Sequence, residues 1–275
     1  MPGRDVRLEL TWLGHSTTVI SLDQDRVLTD PILRRHNPPL RRRGPAPAPS
    51  AWADVTAVVL SHLHHDHADL PSLRRLAGVP VYTAPANAAW LRRHGVEGIG
   101  LEEGEWVPLG DEGRIEVALV PAVHGSRPMP HRPNAANGYL VRSASGTVWF
   151  AGDTSLYDGI ADLPRLAGTP IDLALVPVGG WGARLSKGHM GPREAAQACA
   201  MTQAHAAVPV HWGTLYAPWL PDIPRGWMDR PGPLFEAALH ETAPDCTFLR
   251  TAPGGTVRVP AGSSGAGSPW TGGPR

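Results

Sequence analysis

Residues 61–67 read Ser-His-Leu-His-His-Asp-His and directly follow the short apolar run Val-Thr-Ala-Val-Val-Leu at 55–60. That run is β-branched, continuous and too short for a helix, which predicts a strand buried on both faces. The chain must therefore deliver a cluster of imidazoles to the end of a buried strand, and this limits both its fold and its chemistry. His62 and His64 lie two residues apart and project the same way as the chain leaves the strand. Asp66 and His67 are expected to open a helix and to point at a neighbouring position, with His65 facing solvent. Neutral imidazole and carboxylate suit Zn, Mn, Fe or Ni, and no cysteine stands nearby to demand a softer metal. One short segment is thus read as serving two adjacent divalent metal ions.

Three more ligand-capable residues stand at predicted strand ends. His124 closes Val-Ala-Leu-Val-Pro-Ala-Val, Asp153 follows Val-Trp-Phe-Ala, and His211 follows Ala-Val-Pro-Val. A carboxylate such as Asp153 is what bridges two cations. Two metals about 3.5–4 Å apart hold a bridging water, lower its pKa from 15.7 towards ~7, and clamp phosphoryl or carbonyl oxygens. His15 and Asp30 end the first predicted strands and read as partners that orient ligand imidazoles through the non-ligating nitrogen. Trp181, in Val-Gly-Gly-Trp-Gly-Ala, reads as a pocket wall.

The rest of the chain supports one domain with a full core. It has 275 residues, 42% of them apolar and 18% charged, too hydrophobic for a disordered protein. Strands are predicted at 6–13, 17–22, 26–30, 55–60, 79–84, 138–142, 147–151, 172–177, 206–210, 246–250 and 256–259, with strand character over 105–123. Helices are predicted at 70–76, 85–93, 192–203 and 233–241. This order suits an α/β chain with two packed sheets and helices outside, occupying 1–260. The glycine-rich segment 261–275 is expected to be a disordered tail. The arginine- and proline-rich segment 34–50 is expected to be an irregular loop whose arginines form a basic rim. Basic and acidic residues balance at 25 each, which excludes a global field for nucleic acid or an anionic membrane. No apolar stretch approaches the roughly 20 residues of a membrane span. Residues 1–10 lack the pattern of a secretory signal, and two cysteines are too few for a disulfide framework, so a cytoplasmic protein is expected.

His62-Leu63-His64-His65-Asp66-His67, followed by His124, Asp153 and His211, resembles the metallo-β-lactamase superfamily in identity, order and spacing. Trp12-Leu13-Gly14-His15-Ser16-Thr17, Thr29-Asp30-Pro31, Phe150-Ala151-Gly152-Asp153-Thr154, His211-Trp212-Gly213-Thr214 and the segment Gly188–Ala195 are similar to one branch of it. That branch contains N-acyl-phosphatidylethanolamine phospholipase D and ascorbate-6-phosphate lactonase. The resemblance implies a four-layer αββα sandwich. It implies that His62, His64 and His124 bind one metal, that Asp66, His67 and His211 bind the other, and that Asp153 bridges them. His189 then lies near the substrate as a proton donor or a polariser of its oxyanion, and Asp66 also orients the attacking water as a catalytic residue. The reaction expected is hydrolysis of a small, phosphate-bearing ester with two divalent ions, zinc foremost. Opening of a phosphorylated sugar lactone or another carboxylic ester is the alternative, and a metal-binding module without turnover is the non-enzyme one. A redox diiron role is disfavoured because that branch carries Glu where this chain has His64. The expected partner is a small-molecule ester, with no nucleic acid and no membrane span, and self-association into a homo-oligomer is left open.

Overall fold

A computed structural model of the chain describes residues 8–109, 113–125, 132–133, 135–220 and 224–260. The tail expected over 261–275 lies outside the described residues. Two seven-stranded sheets stack face to face. The first runs in the order Thr256–Arg258, Leu8–Gly14, Thr17–Leu22, Asp25–Thr29, Ala57–Val59, Val81–Thr83, Gly98–Gly100. The second runs Thr247–Phe248, Ala206–Val210, Leu173–Pro177, Gly146–Phe150, Asn137–Ser143, Ile115–Pro121, Trp106–Leu109. In each sheet an antiparallel half continues into a parallel half.

The period-2 alternation of the strands divides their side chains between layers. Ala57 and Val59 enter the inter-sheet core with Leu10, Trp12, Val117 and Phe150, whereas Val58 points outward to Trp90 and Leu91 of helix Pro85–Arg93. On the second sheet, Trp149, Ala174 and Val176 face helices Pro192–Thr202 and Pro231–Thr242, which contribute Cys199, Phe235 and Leu239. The order helix, sheet, sheet, helix is the four-layer αββα sandwich expected. Phe235 is fully buried, and truncating such a side chain to Ala costs about 3–5 kcal/mol. No helix among the described residues is long and apolar enough to cross a membrane.

The structure departs from expectation in three places. Segment 34–50 contains a short hairpin, His36–Asn37 with Leu40–Arg42, extended by Leu215–Tyr216. Its prolines Pro38 and Pro39 fall in the turn, where a missing N–H costs no ladder bond, and its pairing strand arrives from far along the chain. The basic rim is correspondingly thinner. Arg42 is buried and donates to Leu13 O (2.8 Å) and Ile32 O (2.7 Å), Arg34 grips Asp69, and Arg43 pairs with Asp229. Asp66 and His67 do not open a helix. They occupy a turn in which His67 N and Ala68 N both donate to His64 O, and Asp69 caps the helix instead by accepting from Ser72 N.

Candidate metal centre

The carboxyl ends of four strands supply the site. Ala57–Val59 leads into His62, His64, Asp66 and His67; Ile115–Pro121 into His124; Gly146–Phe150 into Asp153; Ala206–Val210 into His211. Their ligand atoms fall within 4.8 Å of one another in overlapping groups, one of His62, His64 and His124, another of His15, Asp66, His67 and His211, with Asp153 meeting His62 and His67 in a third and His124 and His189 in a fourth. Asp153 Oδ2 lies 3.1 Å from His67 Nε2 and 3.9 Å from His62 Nε2, so this carboxylate faces both groups.

Local backbone conformation makes the approach possible. Gly152 has φ +61°, and a Cβ there would lie 2.7 Å from Asn137 O and 2.9 Å from Ser61 Cβ. His15, Asp30 and His211 adopt left-handed conformations with φ 54°, 35° and 63°. For a side-chain-bearing residue this costs of order 1–3 kcal/mol and persists only where surrounding contacts impose it.

The hydrogen bonds fix which ring nitrogen each histidine presents. His124 Nδ1 donates to Gly188 O and His211 Nδ1 to Gly179 O, both at 2.9 Å. His67 Nδ1 donates to Asp30 Oδ2 at 2.6 Å. Ser61 Oγ gives its proton to Asp30 Oδ2 (2.6 Å) and accepts from His62 Nδ1 (2.9 Å). A carbonyl or carboxylate only accepts, so these four imidazoles carry a proton on Nδ1 and turn Nε2 inward. His62 Nε2 and His124 Nε2 both face His64 Nδ1, at 2.9 and 3.1 Å, where at most one proton can be shared. His67 Nε2 and His211 Nε2 stand 3.2 Å apart. Asp153 Oδ1 is buried without a hydrogen-bond partner. Lone pairs converging out of water repel unless a cation lies between them. Ligand nitrogens around a small tetrahedral ion bound at about 2.0–2.1 Å sit roughly 3.3 Å apart, so the observed spacings fit divalent metals.

Protonation follows the same division. Burial, reinforced by neighbouring imidazoles, holds His62 well below its ordinary value and His64 at about 4, and it lowers His124. Burial also opposes charge on His67 and His211, but Asp153 and Asp66 override it, raising His67 strongly and His211 to about 9. In return, the imidazoles hold Asp66 and Asp153 well below the usual carboxylate range despite burial. One group is a neutral imidazole trio; the other couples imidazoles to carboxylates that prefer a positive charge beside them.

The remaining residues singled out from the sequence surround these groups. His15 Nε2 is 3.1 Å from Asp66 Oδ2, and its ring lies 4.0 Å from that of His211. His189 sits in the turn before helix Pro192–Thr202, with Nε2 3.2 Å from Asp153 Oδ2 and Nδ1 3.0 Å from Ser186 Oγ. A cavity of about 740 Å³ opens over the centre, lined by His64, His124, Asp153, His189 and His211. Trp181, 40% exposed, and Trp219, 58% exposed, line it farther out, so Trp181 stands on the wall away from the ligand atoms. His65 is half-buried and also lines the cavity. Sequence reasoning missed Ser61 and the carbonyls of Gly179 and Gly188. Only Ser61, adjacent to His62 at a strand end, offered a local signal.

A buried centre of imidazoles and carboxylates stands at the strand ends of an αββα sandwich. The sequence profile of the beta-lactamase superfamily domain matches residues 25–212, and the chain belongs to that superfamily. It is 30% identical over 210 residues to a metal-dependent hydrolase of Pyrococcus furiosus, a match covering 75% of this chain and 85% of that one. It is 26% identical over 229 residues to N-acyl-phosphatidylethanolamine-hydrolyzing phospholipase D 1 of Caenorhabditis elegans, covering 74% and 63%. An uncharacterized protein of Mycobacterium tuberculosis is 33% identical over 221 residues, 76% of this chain but 59% of that relative's length. The chain thus spans little more than half of that longer relative. Igni18, a metallo hydrolase of Ignicoccus hospitalis, shares the fold with TM-score 0.71, 23% identity and coverage of 93% and 99%.

Proposed function

We propose that residues 1–260 form one hydrolase domain that binds two divalent cations and cleaves a small, phosphate-bearing ester. The observation that carries this reading is the convergence of five imidazoles and two carboxylates in overlapping groups, with His62, His64 and His124 holding too few protons to share. His62, His64 and His124 would hold one ion, Asp66, His67 and His211 the other, and Asp153 would touch both. Zinc suits this nitrogen and oxygen set, with Mn, Fe or Ni as substitutes. Bound there, two such ions supply hydroxide at neutral pH and a clamp for phosphoryl oxygens.

The chain's own groups do the rest. His15 steadies the Asp66 carboxylate, which is then aimed to accept a proton-bearing water and orient its attack. Asp30 and the Gly179 and Gly188 carbonyls keep His67, His211 and His124 in the ligating tautomer. His189 reaches the reacting face from the opposite loop and is the group placed to protonate the leaving oxygen or meet developing negative charge. Arg184 and Lys187 at the cavity wall favour an anionic ester over a neutral one. The pair of unbridged buried thiols, Cys199 and Cys246, suits the cytoplasm. The test is turnover of bis(p-nitrophenyl) phosphate by metal-loaded protein, with Asp153→Ala as control. Hydrolysis abolished by the substitution is expected. A fully metallated protein that leaves the diester intact and opens a sugar lactone would overturn the phosphate assignment in favour of a carboxylic ester.

A further inference from the structure

A second cavity, of about 1040 Å³, adjoins the metal cavity and shares the lining residues Trp181, Gly182 and Arg184 with it. Its walls are unusual in composition, holding four arginines against one carboxylate, Asp229, together with Trp181, Tyr216 and Trp227. Two of the arginines are already engaged: Arg42 holds the Leu13 and Ile32 carbonyls, and Arg43 is tied to Asp229. Arg35 and Arg184 are not. Among the described residues their guanidinium groups, and the rings of Trp181, Tyr216 and Trp227, make no hydrogen bond, ion pair or ring contact.

Five partnerless side chains of just two kinds therefore line one concavity. A guanidinium fork matches the oxygens of a phosphate in a bidentate way. Indole and phenol faces stack on planar rings regardless of ring identity. The space is far larger than a lone phosphate needs, and its positive walls raise the local concentration of an anion. The ligand chemistry that uses both features is a planar heterocycle carrying a phosphate.

We propose that this second cavity binds a nucleoside phosphate, its base against Trp181, Tyr216 and Trp227 and its phosphate on Arg35 and Arg184. Because the cavity adjoins the metal cavity across shared walls, the nucleotide is the non-reacting end of the ester that is cleaved there, a step that rests on the hydrolase reading above. Trp181 and Arg184 line both cavities.

The experiment is isothermal titration of the metal-loaded full chain with AMP, and separately with ribose 5-phosphate and adenosine. AMP is expected to bind at least about tenfold more tightly than either fragment. Arg35→Ser is expected to weaken AMP about tenfold, and Trp227→Leu about fivefold or more. Both residues sit at the surface or half-buried, and unchanged metal content and thermal unfolding will establish that the variants fold. Arg35→Lys, which keeps charge but loses the fork, is expected to fall between wild type and Arg35→Ser. Ribose 5-phosphate binding as well as AMP would overturn the nucleoside assignment. AMP affinity untouched by both substitutions would place the anion on the metals and overturn the site. In a diester assay AMP should inhibit competitively, and binding without inhibition would overturn the non-reacting-end assignment. Absence of diester turnover would instead strike the hydrolase reading, while the titration still decides the nucleotide site.

Discussion

Asp30→Asn tests whether hydrogen bonding behind the ligands sets the metal site. Asp30 is fully buried and accepts from Ser61 N at 2.8 Å through Oδ1, and from Ser61 Oγ and His67 Nδ1, both at 2.6 Å, through Oδ2. Its φ of 35° lies in the left-handed region, which Asn tolerates, so the substitution leaves the backbone unpenalised. It replaces one acceptor oxygen by an NH₂. If the amide oxygen stays on Ser61 N, the new donor meets the His67 and Ser61 Oγ donors. His67 then relieves the clash by moving its proton to Nε2, the nitrogen needed for a metal. If the amide flips, the clash moves to Ser61 N. Either way one buried polar pair is left unmade, at about 1–3 kcal/mol. Loss of such an outer partner weakens metal binding about 10- to 100-fold, or roughly 1.4–2.7 kcal/mol. Competition against a chromogenic chelator should show one of two metal equivalents weakened by that factor, with the His62–His64–His124 equivalent retained. Two equivalents within twofold of wild type, in a folded protein, would refute the argument.

Three further outcomes follow from the same geometry. Gly188→Ala places a Cβ against Gly125 N and within 3.0 Å of His124 Nδ1, at a residue with φ +88°. It should displace His124 and cost the protein about one metal equivalent by elemental analysis; full occupancy would count against the tight approach. His189→Gln should lower the rate of diester hydrolysis about 10²–10⁴-fold with metal content unchanged, whereas an unaltered rate sets His189 aside as a proton donor. Asp172 is held above its ordinary carboxylate value chiefly by burial, against the 2.8 Å hydrogen bond from Thr147 N. A raised acid contributes stability at low pH that is lost as pH rises through the elevated value. Asp172→Asn keeps an acceptor for Thr147 N without the charge. In urea unfolding it should therefore gain stability relative to wild type between pH 4 and pH 7, and a constant difference would contradict the burial argument.

Most strands of both sheets were legible in the sequence because alternation of apolar residues is local and survives any packing partner: Leu8, Leu10 and Trp12 declare their face within five residues. Helix Pro85–Arg93 was equally plain from Pro85 and Gly95. Strand Gly98–Gly100 and helix Leu163–Ala167 were not, since three or five residues carry too little periodic signal. The hairpin inside 34–50 was hidden for another reason: Leu40–Arg42 is ordered by Leu215–Tyr216, and by burial of Leu40 on Leu215 and Ala217.

The site divides along the same line. The sequence by itself placed the candidate donors, because His62, His64, Asp66 and His67 are bound into one turn by covalent geometry, and His124, Asp153 and His211 each end an apolar strand. It did not say where the helix after them begins, since the competition between Asp66 and Asp69 for the capping role was settled by the Ser72 amide. Tertiary structure alone decided which nitrogen each histidine offers. That choice belongs to Asp30 for His67, Gly188 for His124 and Gly179 for His211, partners 37, 64 and 32 residues away. A tautomer is set by the acceptor that folding brings to the back of the ring, and no spacing along the chain encodes that acceptor.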